Sequence, residues 1–182
     1  NRTLAAKDSA IVPLIAETGG MNAMIVDSSA LPEQVVDDVV TSAFGSAGQR
    51  CSALRILCVQ SDIAEGVLKM LGGAMEMLRV DDPAKLSTDI GPLIDAQAHE
   101  ILARHVSVLG GFARKIAQAP LADAVRERGY FLAPSAWEIG GIDELTGEVF
   151  GPVLHVLRYE AGYEAALVRA LNATGYGLTF GL

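Results

Sequence analysis

Short apolar runs alternate along this chain with segments whose apolar residues recur at helical spacing. The runs "NAMIVD", "RILCVQ" and "PVLHVLRY" have the length and composition of buried strands. In residues 32–44, Val35, Val36 and Val39 share one face of a helix. The predicted strands are residues 11–16, 22–27, 55–60, 114–119, 129–139 and 152–159, and the predicted helices are residues 32–44, 62–79, 95–109 and 164–172. Such alternation predicts an α/β fold around a mostly parallel sheet.

The charge balance and the cysteine count exclude several classes of protein. The formal net charge is −8, whereas a nucleic-acid-binding domain carries a basic face. No apolar run approaches the ~20 residues that span a bilayer, and the opening residues lack the apolar core of a signal peptide. The two cysteines fit a reducing compartment better than a disulfide framework. We therefore expect a cytoplasmic protein with no nucleic-acid partner and no membrane segment.

From both ends of the sequence we expect the chain to be a piece of a longer polypeptide. The chain stops within "GYGLTFGL", an apolar, strand-like segment without a polar closing turn. It opens on residues that resemble the tail of a helix.

The sequence contains no motif of a metal site or of a phosphate-binding loop. Its three histidines, His99, His105 and His155, form no His-Glu-x-x-His motif, and Cys51 and Cys58 form no Cys-x-x-Cys motif. We predict no metal site, and we expect the histidines on the surface or on helix flanks. Neither G-x-G-x-x-G nor a Walker A motif occurs, so a phosphate-binding element would lie outside this chain.

Cys51 is the candidate nucleophile. It lies in "FGSAGQRCSALR", among small residues and between Arg50 and Arg55. Positive charge and free backbone N–H groups stabilise a thiolate, and small neighbours let a substrate approach. On local composition alone, a loop cysteine without a role is the commoner case. Cys58 lies inside an apolar strand, and we expect it to be a small core residue without a catalytic role.

Two further segments hold candidate site residues. Glu17 follows an apolar run and precedes Gly19 and Gly20, so a partly desolvated carboxylate there could act as a general base. Glu148 and Phe150 stand in "GEVFGPV", just before a predicted strand. Taken alone, each segment is also compatible with an ordinary turn.

Together these segments resemble the aldehyde dehydrogenase superfamily. "ETGG" is similar to its glutamate signature and "FGSAGQRCSALR" to its cysteine signature. "DIGPLID", "GYFLAPSAW", "EVFGPVLHVLRY" and "LNATGYGLT" are similar to further blocks of the family, in the same order. Thr18, Asn22 and "GQRCSALR" resemble the 1-pyrroline-5-carboxylate (L-glutamate γ-semialdehyde) dehydrogenases, in particular the dehydrogenase part of bacterial bifunctional PutA proteins. Met21 departs from the lysine that often follows the two glycines of the glutamate signature.

The resemblance implies a role for each candidate residue. Cys51 would be the nucleophile, its backbone N–H would help to hold the oxyanion, and Glu17 would activate the water that hydrolyses the thioester. Glu148 would bind the nicotinamide-side ribose of NAD, Phe150 would lie near the nicotinamide, and Ser52 would contact the substrate carboxylate. The asparagine that completes the family's oxyanion hole belongs to a segment upstream of this sequence.

The resemblance also implies how the chain is divided and which alternatives remain. Residues 1–20 would be the tail of an upstream dinucleotide-binding domain and residues 21–182 most of the catalytic domain, within a protein that is a homo-oligomer at full length. The predicted reaction is NAD-dependent oxidation of L-glutamate γ-semialdehyde to glutamate. The alternatives are a dehydrogenase of another aldehyde, a fragment that is inactive without its NAD domain, and a cysteine hydrolase.

Overall fold

The chain folds into a six-stranded sheet with helices on both faces. The computed structural model describes residues 2–10, 12–16 and 19–182. Its helices and strands, in chain order, are α1 (Arg2–Ala5), β1 (Asn22–Val26), α2 (Pro32–Phe44), β2 (Leu54–Gln60), α3 (Ser61–Glu76), α4 (Ala96–Leu109), β3 (Arg114–Gln118), α5 (Asp123–Arg126), β4 (Ser135–Glu138), β5 (Val153–Tyr159), α6 (Glu164–Ala173) and β6 (Phe180–Gly181). The strand order is β3-β4-β5-β2-β1-β6, and every pair is parallel except β3–β4. This confirms the predicted fold class.

The central strand β2 separates two apolar layers. All seven of its residues are buried, as expected for a parallel strand that helices cover on both faces. Leu57 and Val59 belong to the larger layer, which α2, α3 and α4 complete. Ile56 and Cys58 belong to a smaller layer with residues of β1 and α6. Because successive side chains of a strand point to opposite faces, one continuous apolar run supplies both layers.

Most predicted elements are present with boundaries shifted by a few residues, but two predicted strands are wrong in part. Residues 12–16 are exposed and form no strand, whereas Ile11 lies outside the described residues. Pro13 has no N–H to donate to a ladder. The predicted strand 129–139 is reduced to β4. Before it, the carbonyl oxygen of Tyr130 accepts a hydrogen bond from the N–H of Leu93, which lies in a loop and not in a strand.

His155 corrects the expectation that the histidines lie on the surface or on helix flanks. It is 2% exposed on β5, and its Nε2 lies 2.8 Å from Nε2 of His105 on α4. Its Nδ1 lies 3.0 Å from the carbonyl oxygen of Arg55, which can only accept a hydrogen bond. His155 therefore carries its proton on Nδ1, and His105 donates to its Nε2. The apolar run around His155 in the sequence was the available sign of its burial.

We predict that the protein loses stability as the pH falls from about 6.5 towards 4. Burial lowers the pKa of His155 from 6.5 to about 4, and the charges of His105 and Arg55 add to this effect. Between these values the unfolded chain binds a proton that the folded chain excludes, so the contribution of His155 is complete above 6.5 and is lost on acidification. The full difference is on the order of 3 kcal/mol. Urea unfolding of the wild type and of His155→Gln at pH 7.5 and 5 measures the larger part of this difference, about 2 kcal/mol, because the lower pH is still above the folded pKa of His155.

The control for this prediction is His99→Gln, which removes a histidine of α4, the helix that also holds His105. This variant should keep the wild-type loss of stability between the two pH values, whereas His155→Gln should reduce it. Equal pH dependence of the wild type and His155→Gln would contradict the prediction.

No helix within residues 2–10, 12–16 and 19–182 is both long enough and apolar enough to cross a membrane.

Candidate active site

The candidate residues gather where the parallel strands begin. Because β1, β2 and β5 are neighbours and run in the same direction, the loops that precede them meet at one edge of the sheet, which we call the amino edge. Gly19 and Gly20 precede β1, Cys51 and Ser52 precede β2, and residues 148–150 precede β5. Three segments that are far apart in sequence therefore share one edge.

A left-handed turn leads from α2 into the segment that holds Cys51, residues 45–53, which we call the cysteine loop. Ser46, Ala47 and Gly48 have φ values of 57°, 53° and 63°. This conformation costs about 1–2 kcal/mol for each residue other than glycine. A β-carbon on Gly48 would collide with the backbone oxygen of Gly151, so glycine is required there for space as well as for conformation.

The two cysteines differ in environment as predicted. Cys51 is exposed on the cysteine loop, next to a half-buried Ser52. Cys58 is fully buried in β2, and burial raises the pKa of its thiol to about 12. A thiol with such a pKa is inert at neutral pH. Cys51 is therefore the thiol that a substrate can reach.

Arg55 joins the cysteine loop to the turn before β5. Its side chain is 1% exposed, and its Nη1 donates to the carbonyl oxygens of Gly48 at 2.7 Å and Gly151 at 3.1 Å. Its Nη2 donates to the carbonyl oxygen of Arg50 at 3.1 Å and lies 3.5 Å from Oε1 of Glu148. Burial lowers the pKa of this guanidinium and the carboxylate opposes that shift, yet an arginine keeps its charge in a folded protein.

Asn22 and Gln49 hold other parts of the cysteine loop. The amide nitrogen of Asn22 donates to the carbonyl oxygens of Cys51 and Ala53. The Gln49 side chain donates to the carbonyl oxygen of Pro92 and accepts from the N–H of Ile94. The loop that carries Cys51 is thus bound to three separate parts of the chain.

Sequence reasoning missed these three anchors. Arg55, Asn22 and Gln49 all stand in the quoted motifs, but we assigned them no contact. Arg50, the other arginine near Cys51, is exposed and its Nη2 donates to the carbonyl oxygen of Thr41 at 3.2 Å. The sign that could have identified Arg55 is a charged residue within an otherwise apolar strand.

Glu148 lies beside Gly19, the first of the two glycines that precede β1. A β-carbon on Gly19 would fall on Oε2 of Glu148. Glu17, the predicted general base two residues earlier, lies outside the described residues. The described part of the chain contains no group of three or more His, Cys, Asp or Glu side chains that could hold a metal ion.

Comparison with known proteins identifies the family. The family model "Aldehyde dehydrogenase family" matches residues 2–182. The chain belongs to the aldehyde dehydrogenase family. It is 55% identical to the bifunctional protein PutA of Salmonella typhimurium over 175 residues, which are 94% of this chain and 13% of that protein. It is 32% identical to the 1-pyrroline-5-carboxylate dehydrogenase of Geobacillus kaustophilus over 170 residues, which are 91% of this chain and 32% of that protein.

Solved structures of aldehyde dehydrogenase relatives have the same fold. A crystal structure of bifunctional proline utilization A superposes with a TM-score of 0.90 at 52% identity, covering 99% of this chain and 18% of that chain. A putative aldehyde dehydrogenase from Burkholderia cenocepacia gives 0.81 at 28% identity, covering 90% of this chain and 34% of that chain. This aldehyde dehydrogenase chain therefore spans a minor part of the length of these relatives.

The family generally uses NAD(P), and two side chains at the amino edge could hold such a cofactor. The Glu148 carboxylate can accept hydrogen bonds from ribose hydroxyls. The Phe150 ring is 40% exposed, and the guanidinium of Arg55 lies 5.1 Å from its centroid. An exposed ring supported in this way can pack against a flat heterocycle.

Proposed function

We propose that this chain supplies the nucleophile of an NAD-dependent dehydrogenase that oxidises L-glutamate γ-semialdehyde to glutamate in proline catabolism. The observation that carries the proposal is the meeting of the cysteine loop, Gly19 and Glu148 at the amino edge, with Cys51 exposed there. The similarity to a bifunctional PutA and to a 1-pyrroline-5-carboxylate dehydrogenase supports the proposed substrate.

In the proposed reaction Cys51 attacks the aldehyde. Its thiolate sulfur forms a bond to the carbonyl carbon, and the π electron pair moves to the oxygen, which produces a tetrahedral thiohemiacetal. The backbone N–H of Cys51 donates to that oxyanion. A donor held rigidly in this way stabilises the charge without reorganisation. The anchors of the cysteine loop supply such rigidity.

NAD would accept the hydride that leaves the substrate carbon. Glu148 would hold the ribose hydroxyls, and Phe150 would pack against the nicotinamide. Once the hydride has left, the substrate is bound to Cys51 as a thioester. Glu17 would take a proton from water, whose oxygen attacks the thioester carbon and releases glutamate and the Cys51 thiolate.

We further propose that Ser52 contacts the substrate carboxylate, since it follows Cys51 directly and is half-buried. Residues 1–20 would end an upstream dinucleotide-binding domain, and residues 21–182 would form most of the catalytic domain. The full protein would be a homo-oligomer.

The test is a rate measurement on the intact protein with NAD⁺ and L-glutamate γ-semialdehyde, monitored by formation of NADH and glutamate. A higher kcat/KM for this substrate than for an aldehyde of equal length without the amino and carboxylate groups would support the proposal. Preference for the plain aldehyde would favour a dehydrogenase of another substrate. Hydrolysis of an activated ester without NAD⁺, with no oxidation of any aldehyde, would favour a cysteine hydrolase. Titration of the 182-residue chain with NAD⁺ would show whether it binds the cofactor alone.

A further inference from the structure

Asn22 is a buried polar residue at the start of β1. It is 3% exposed, and every polar atom of its side chain has a partner. Nδ2 donates to the carbonyl oxygens of Cys51 at 2.7 Å and Ala53 at 2.8 Å, and Oδ1 accepts from the N–H of Thr179 at 3.0 Å. The partners fix the orientation of the amide, because two carbonyl oxygens require the NH₂ group and an N–H requires the oxygen.

An irregularity in the sheet allows these contacts. Asn22 opposes Leu54 on β2, but Ala23 opposes Ile56, so the register shifts between the two residues. A shift of this kind re-aims a side chain at the end of a ladder. The backbone carbonyls that enter β2 are therefore bound by the Asn22 side chain.

We infer that Asn22 is a positioning residue for Cys51. The carbonyl of Cys51 and the N–H of Ser52 share one rigid peptide plane, so the bond from Nδ2 fixes how that plane is rotated. The bond from Nδ2 to Ala53 fixes a second carbonyl, two residues after that of Cys51. The main chain on the carboxyl side of the nucleophile is therefore held at two points. The orientation of the Cys51 side chain depends on this hold. The inference rests on the proposed function only for its effect on catalysis.

Asn22 also links the cysteine loop to β6. Its oxygen binds Thr179, one residue before β6 begins at Phe180. The same amide therefore joins β1, the cysteine loop and the edge strand. Two variants separate these contacts: Asn22→Ala removes all three hydrogen bonds, whereas Asn22→Asp keeps an acceptor for Thr179 and replaces the donor to the cysteine loop by an oxygen.

The experiment compares Asn22→Ala and Asn22→Asp with the wild type in the intact protein at pH 8. We expect both variants to lower kcat by at least ~10-fold, since small displacements of a reacting group are costly, while the KM values change by less than ~2-fold. Hydrogen exchange read by mass spectrometry should become faster in residues 49–54. Tyr159→Phe is the matched control, because Tyr159 Oη donates to the carbonyl oxygen of Val26 at the other end of β1. The control should leave both readouts unchanged.

Several outcomes would overturn the inference. These are an unchanged kcat in either folded variant, a loss of kcat/KM that comes from KM, or unchanged exchange in residues 49–54. An effect in Asn22→Ala without one in Asn22→Asp would show that only the link to β6 matters. If the wild type oxidises no aldehyde, the proposed function fails, and hydrogen exchange alone decides whether Asn22 holds the cysteine loop.

Discussion

Replacing Cys51 with alanine should lower aldehyde oxidation by the intact protein by ~10⁴-fold or more, as expected when a covalent nucleophile is removed. The alanine side chain cannot form the thiohemiacetal, so hydride loss has no covalent adduct from which to occur. Because Cys51 is exposed on a loop whose anchors are the backbone and other side chains, the substitution should leave the fold intact. The measurement is kcat/KM with NAD⁺ and the semialdehyde.

The matched control is Cys58→Ala in β2. Cys58 is buried among the residues of the smaller apolar layer, so this change should cost stability while kcat stays within ~2-fold of the wild type. NAD⁺ should bind to Cys51→Ala as tightly as to the wild type. Residual oxidation above a tenth of the wild-type rate in Cys51→Ala would refute the assignment of the nucleophile.

The strands that form the amino edge are predictable from sequence because they are buried on both faces. The run from Leu54 to Gln60 is apolar apart from Arg55 and Gln60, and its burial is complete. Strands at the sheet margin carry a weaker signal. β6 has only two residues in the ladder, and residues 12–16 have the composition of a strand without forming one. An edge strand exists only where a partner pairs with it, and composition does not specify the partner.

The contacts of the site are less predictable because their partners are distant in sequence and are mostly backbone carbonyls. The Arg55 partner Gly151 is 96 residues away, and the Asn22 partner Thr179 is 157 residues away. A carbonyl oxygen is present at every residue, so no motif marks it as a partner. The proposed roles stay predictions for Cys51, Ser52, Glu148 and Phe150. The role of Glu17, which lies outside the described residues, also stays a prediction.

Replacing Arg55 with methionine should lower the free energy of unfolding by about 3–5 kcal/mol, the range for removing one partner of a buried ion pair. Methionine preserves much of the volume but leaves three backbone carbonyl oxygens and the Glu148 carboxylate without their donor. Urea unfolding at pH 7.5 measures the loss. The control is Arg104→Met on α4. Arg104 forms an ion pair with Glu100 in which both side chains are exposed, and such a pair contributes only about 0.5 kcal/mol.

Two further variants separate the charge of Arg55 from its shape. Arg55→Lys keeps the positive charge, but one ammonium group cannot reproduce the planar set of donors that spans Gly48, Arg50 and Gly151. We expect its stability to lie between those of the wild type and Arg55→Met. Combining Arg55→Met with Glu148→Gln should cost less than the sum of the two single changes, because the second removes the charge that the first leaves unpaired. Strict additivity would mean that Arg55 and Glu148 are not coupled. A loss in Arg55→Met no larger than in Arg104→Met would mean that Arg55 does not hold the cysteine loop against the turn before β5.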